Sequence, residues 1–344
     1  MRRRLRNAFA AVFTLAALAS LAPAKAADGA VSFKGKTMRM VVGASAGGGF
    51  DTYARIIAAH LSRHLPGNPA IVVQNMAGAG SLSAANYLTN VAPKDGTVIG
   101  ALNPLIVTNA LVYPDRFKFD ATRVKWIGSA LKETHVAIAW RTSKIASFED
   151  VFRRDFLVAG SGGTTNSYPV LVNAVLGTRF KVVSGYPGTS EGNLAMERGE
   201  VEGIGAITWA SVKATQARAL ANHDLRVLVQ FGLAKHPELA NVPWIFDYAR
   251  NDADRAALRL VLATQEFGRP YLVADGVPAA VVAALRNAFD ETMKAADFRA
   301  DAAKRGLDLE PTRGAEIQAT VDDIYKTRPD VIARVAKILA ADAR

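Results

Sequence analysis

The chain has no cysteine. Disulfides, thiolate metal sites, cysteine nucleophiles and a lipid-bearing cysteine are all excluded, so in an oxidising compartment stability would rest on packed core alone. Beyond the first 26 residues, no stretch approaches the ~18 uninterrupted apolar residues that mark a membrane-crossing helix. The five histidines are too scattered for a metal set. Lys and Arg outnumber Asp and Glu by 42 to 31, yet no dense basic run, zinc spacing or aromatic-basic RNA motif appears, which argues against nucleic acid as a partner. Gly35-Lys36-Thr37 has Ala30 where a P-loop needs glycine, and residues 78–83 miss the last small position of a dinucleotide fingerprint. No cofactor is expected.

The amino terminus carries Arg2, Arg3, Arg4 and Arg6, then an apolar run over 8–22, then Ala24-Lys25-Ala26. This is the pattern of a secretory signal peptide over 1–26, cleaved near Ala26, and it predicts an exported, periplasmic protein. Removing it takes the formal charge from +11 to +6 and leaves about 318 residues, more than one core usually serves. Two domains are expected.

Short β-rich runs alternate with helical patterns, the signature of βαβ units and parallel sheets. Strands are predicted over 37–43, 70–75, 98–102, 124–128, 135–140, 156–159, 181–184, 203–207, 225–230 and near 271–273. Helices are predicted over 52–65, 83–89, 168–176, 190–198 and 278–295, and the apolar face of the helices beyond Gly314 should pack on one domain. Four glycine-rich turns punctuate this pattern: Gly47-Gly48-Gly49, residues 75–81, residues 160–166 and residues 184–190. Each follows a strand and opens a helix. Ligands of open α/β sheets bind outside the carboxyl ends of strands, so all four turns are expected to face one crevice as a two-lobed clamp.

At these residues the chain resembles the Bug-type periplasmic receptors, the substrate-binding proteins of tripartite tricarboxylate transporters. The resemblance is carried by the ordered set of residues 47–55, 72–80, Ala92-Pro93-Lys94-Asp95-Gly96-Thr97, Gly185-Tyr186-Pro187-Gly188, residues 198–202 and Val242-Pro243. It implies a type II periplasmic-binding-protein fold, two α/β lobes with a ligand cleft between them, closing on a small organic carboxylate. It also implies the membrane subunits of a secondary transporter as partners. We expect a monomer with lobe 1 formed by 27–129 plus 261–344 and lobe 2 by 130–260. Where the family's first loop often carries Pro and an aromatic residue, this chain has Gly43-Ala44-Ser45-Ala46, and Glu202 stands where Asp is typical.

The expected ligand-binding residues are Ser45, Gly47, Gly48, Asp51, Gly80 and Ser81 from one lobe and Ser161, Thr164, Thr165, Asn166 and Tyr186 from the other. None of the four loops contains Lys or Arg, so recognition is expected to rest on backbone N–H groups, hydroxyls and helix ends. Asp51 has two readings, as the cap of the helix it precedes or as a pocket carboxylate that discriminates among acids.

Two other functions compete. Gly43-Ala44-Ser45-Ala46-Gly47 matches the G-x-S-x-G nucleophile elbow, which would make the chain a secreted serine hydrolase with His135, His223 or His236 as base. Against it, the match lies on the first strand, and no histidine has a visible catalytic context. The chain is therefore read as a binding protein rather than an enzyme. A receptor that senses ligand for a signalling partner is the remaining alternative.

Overall fold

A computed structural model describes residues 31–340 except Arg116 and Lys118; the signal segment lies outside them. The strands are β1 (Thr37–Val42), β2 (Ala70–Asn75), β3 (Val98–Ala101), β4 (Lys125–Ser129), β5 (His135–Trp140), β6 (Phe156–Gly160), β7 (Phe180–Ser184), β8 (Gly203–Thr208), β9 (Leu225–Phe231), β10 (Pro270–Val273) and β11 (Thr312–Arg313). They form two sheets, ordered β11-β4-β10-β3-β1-β2 and β7-β6-β8-β5-β9. Helices follow the glycine-rich turns at Gly49–Leu61, Leu82–Asn90, Thr164–Leu176 and Thr189–Glu197. Central β3 is buried on both faces, as a strand covered on both sides should be, whereas edge strand β2 alternates between exposed and half-buried residues.

The sheets are mixed, which corrects the all-parallel expectation. β1 pairs parallel with β2 and β3, and β6 with β7 and β8. β10 runs antiparallel to both β3 and β4, and β5 antiparallel to both β8 and β9. The reason is topological: a strand that leaves a sheet and one that returns beside it must run in opposite directions. Pro270, which opens β10, therefore sits opposite Ser129, which closes β4. His135, which opens β5, likewise sits opposite Thr208 and Phe231, the ends of β8 and β9. The carboxyl ends of the parallel strands in both sheets thus point to the edge where the chain crosses over.

Several helices escaped the sequence pattern, and two of them lie near the joint between the sheets. Leu105–Val112 is apolar on nearly every side and five of its eight residues are buried, so it has no amphipathic period to detect. Asp252–Leu262, capped by the Asn251 side chain accepting from Asp254 N at 2.9 Å, lies in the return between the sheets. The last described helix, Pro329–Ala340, does not pack on one domain. It touches helices Leu105–Val112 and Asp252–Leu262 and also Thr164–Leu176, which covers the second sheet. Its Arg334 donates to buried Asp254 at 2.8 Å, and one apolar cluster runs from Trp126 to Phe156 and Val158 across both lobes.

Candidate functional site

The crossovers run side by side. Ala130 N donates to Arg269 O at 3.2 Å, Gly268 N to Leu131 O at 2.8 Å and Glu133 N to Gln265 O at 2.8 Å. A Cβ at Gly268 would lie 2.3 Å from Glu133 Cγ, so only glycine lets the outward segment seat its carboxylate here. That carboxylate is ion-paired with Arg269 of the return segment, both side chains nearly buried. The Arg269 guanidinium also lies 4.3 Å from the ring centroid of Phe50, in the helix that follows β1.

These residues form the floor of a cleft of about 230 Å³ between the lobes. Phe50 and residues 103–105 line one side; His135, residues 161–165, Tyr168, Thr189, Thr208 and Ser211 line the other; Thr264 and Gln265 join Glu133 and Arg269. Beside the neutral donors of the loops, the cleft contains a cation. Arg269 comes from the residue just before β10 and from none of the four glycine-rich loops. Burial pushes the Glu133 carboxyl up, against the pull of Arg269. Burial first, and the Arg269 charge second, push His135 down to about 3, so its imidazole is neutral at physiological pH.

Of the expected ligand residues, Ser161, Thr164 and Thr165 line this cleft. The turn that presents them needs glycine, because Gly162 and Gly163 have φ of +86° and +58°. Thr165 Oγ1 is committed within that turn, donating to Gly162 O at 2.7 Å and accepting from Ser161 N at 2.9 Å. Asn166 faces the scaffold, accepting from Gly162 N at 2.8 Å and donating to Ser184 Oγ at 2.9 Å. Half-buried Tyr186 packs on the apolar cluster of the second lobe.

Ser45, Gly47 and Gly48 are exposed on the loop after β1 and do not line the cleft. The loop is nevertheless its neighbour, since a Cβ at Gly49 would lie 3.3 Å from Arg269 Nη2. Gly80 is exposed, whereas Ser81 is buried as a strut: its Oγ donates to Gly43 O at 2.8 Å and accepts from Asn103 N at 2.9 Å. A Cβ at Gly43 would meet that hydroxyl at 2.4 Å, so the two loops can approach only over glycine. Among the described residues no histidine is hydrogen-bonded to Ser45.

Asp51 lies inside the helix Gly49–Leu61, with Gly48 at the cap position, and is 3% exposed. It accepts from Gly47 N, Arg55 Nε and Asn75 Nδ2, each at 2.9 Å, while the same Asn75 amide reaches Ala44 O at 3.0 Å. The carboxylate ties the β1 loop to the end of β2. The Arg55 hydrogen bond foremost, with burial opposing it, brings its pKa down to about 2. Asp51→Ala is expected to cost about 1–3 kcal/mol by leaving these donors unpaired. Because the folded-state pKa is depressed, this contribution is present above the ordinary 3.8 and fades as pH falls through about 2. Denaturant titrations of both proteins should differ by the same amount at pH 8 and pH 5 and converge below pH 4; a gap that is already closing at pH 6 refutes the assignment.

No family model matches the chain. The UPF0065 protein in the gbd 5′ region of Cupriavidus necator is 24% identical over 322 residues, covering 90% of each chain. A TctC solute-binding protein from Polaromonas superposes with a TM-score of 0.66 at 17% identity, over 90% of this chain and all of its own. An R. palustris protein with adipate does so with a TM-score of 0.63 at 19% identity, over 88% of this chain and 97% of its own. The fold is the type II periplasmic-binding-protein fold, with the cleft at the carboxyl ends of strands from both sheets. In sequence over nearly its whole length the chain is thus similar to a UPF0065 protein, and in fold it is similar to solute-binding proteins of the TctC type.

Proposed function

We propose that the protein is a periplasmic receptor that captures a small organic carboxylate between lobes 27–129 plus 261–344 and 130–260, and delivers it to the membrane subunits of a tripartite tricarboxylate-type secondary transporter. One observation carries the reading. Arg269 and the amino-terminal turn of the helix Thr164–Leu176 line one polar cleft where the lobes meet. A carboxylate there would take charge-assisted hydrogen bonds from the guanidinium and donors from the Thr164 and Ser161 hydroxyls and the first helical amides. Hinge closure about the paired crossovers would bring the exposed β1 loop, with Ser45, Gly47 and Gly48, over the ligand. The adipate in the R. palustris relative supports this ligand class.

The hydrolase reading is weaker, because among the described residues exposed Ser45 has no hydrogen-bonded base. Thermal shifts with mono-, di- and tricarboxylates test the proposal: a ligand at 100 times its Kd should stabilise the fold by about 2.7 kcal/mol. No shift with any acid, and no acid released from the denatured protein by mass spectrometry, would reject it. Ester turnover that disappears in Ser45→Ala would favour the enzyme instead.

A further inference from the structure

Among the described residues, four buried polar atoms of cleft-lining side chains have no hydrogen-bond partner: Glu133 Oε1, which is left only its ion pair with Arg269, and three with no protein partner at all, Arg269 Nε, Gln265 Oε1 and His135 Nδ1. Gln265 and His135 are each 4% exposed, so bulk water does not freely satisfy them. A buried polar atom left unpaired is costly, and three that line one cavity amount to an imprint of what should fill it. Resting on the carboxylate-receptor reading above, we propose that Arg269, Gln265 and His135 form a specificity centre that selects a carboxylate bearing a hydroxyl group over its deoxy counterpart.

The donor Arg269 Nε calls for an anionic oxygen. The acceptor Gln265 Oε1 calls for a donor on the same ligand, which an unsubstituted carboxylate lacks. Gln265 is held for this task, because its Nε2 donates to Tyr168 OH at 2.9 Å and leaves the carbonyl oxygen unpaired. Tyr168 is in turn fixed by the His135 ring, whose centroid lies 5.2 Å from its own. The ligand donor should be a hydroxyl rather than an ammonium. Arg269 already places a positive charge in the site, and the same charge disfavours a proton on His135. Glu133 offers an ammonium little in return, since its carboxylate is engaged by Arg269. Neutral His135 presents one donor and one acceptor, and so can take the hydroxyl or the carboxylate edge without adding charge.

Calorimetric titration with matched pairs tests this: malate against succinate, 2-hydroxyglutarate against glutarate and 3-hydroxybutyrate against butyrate. The hydroxy acid of at least one pair should bind about tenfold or more tightly than its deoxy partner, since a site built to bond a hydroxyl is left unpaired without it. In Gln265→Met that ratio should fall towards one. Tyr168→Phe, which keeps the ring and frees the Gln265 amide, should reduce it as well, with folding of both variants checked by circular dichroism. Equal affinities within every pair in the wild type, or a ratio that survives in a folded Gln265→Met or Tyr168→Phe variant, overturns the specificity centre while leaving a carboxylate receptor in place. Failure of all six acids and of the wider acid screen removes the receptor reading itself, and this inference with it.

Discussion

Arg269→Met is expected to lower the unfolding free energy by about 3–5 kcal/mol, because it leaves the Glu133 carboxylate buried without its cation. The loss should depend on pH. Burial already holds the Glu133 pKa above its ordinary 4.5 against the pull of Arg269, and removing that pull raises it further. An acid with a raised folded-state pKa contributes stability that is fully present below its unfolded value and lost as pH rises through the folded one. The deficit of the variant should therefore be smallest near pH 4 and grow towards pH 8. Glu133→Gln combined with Arg269→Met removes the stranded charge and should recover most of the loss. Urea titrations across that range decide the matter: a deficit independent of pH, or a double variant no better than the single one, would mean that the pair does not anchor the crossovers.

Truncation before Pro329 should have an effect of similar size for a different reason. The helix Pro329–Ala340 buries Val331 and Val335 against helices of both lobes. Exposing their partners costs about 3–6 kcal/mol at ~1.5–3 kcal/mol per buried valine. Asp254, 1% exposed, would also lose Arg334 and keep only Arg250 at 3.4 Å. Because this helix covers the joint, scanning calorimetry of the truncated chain should show a lower and broader transition as the lobes unfold less cooperatively. A sharp transition at the full-length temperature would show that the helix merely decorates the surface.

Much of this architecture was legible in advance, and the gaps follow a pattern. All ten predicted strands, β1 to β10, match within one residue at either end, because short runs rich in β-branched and aromatic residues between turns mark a half- or fully buried strand. β11 was not anticipated, since two residues paired to β4 carry no period. The all-apolar helix Leu105–Val112 lacks a polar face and so gave no amphipathic signal. The glycine-rich loops were found where they are, yet several of their polar residues serve the loops themselves: Asp51, Ser81 and Asn166 bond backbone amides or neighbouring loops rather than the cleft. A sequence pattern identifies a side chain suited to bind an anion, and a local N–H group is an equally good partner.

The sequence by itself determined the order of strands and helices, the sites of the tight turns and the absence of disulfide chemistry, because all of these depend on local periodicity, on glycine's freedom or on residue type. Tertiary structure alone decided where the charge of the cleft comes from. Arg269 and Glu133 are 136 residues apart and neither lies in a recognisable motif. They meet because a strand leaving a sheet and the strand returning beside it must be antiparallel, which lays the two crossovers together at the carboxyl ends of both sheets. Burial there makes the pair obligatory, and pairing leaves the Nε of the guanidinium group without a protein partner beside the cleft.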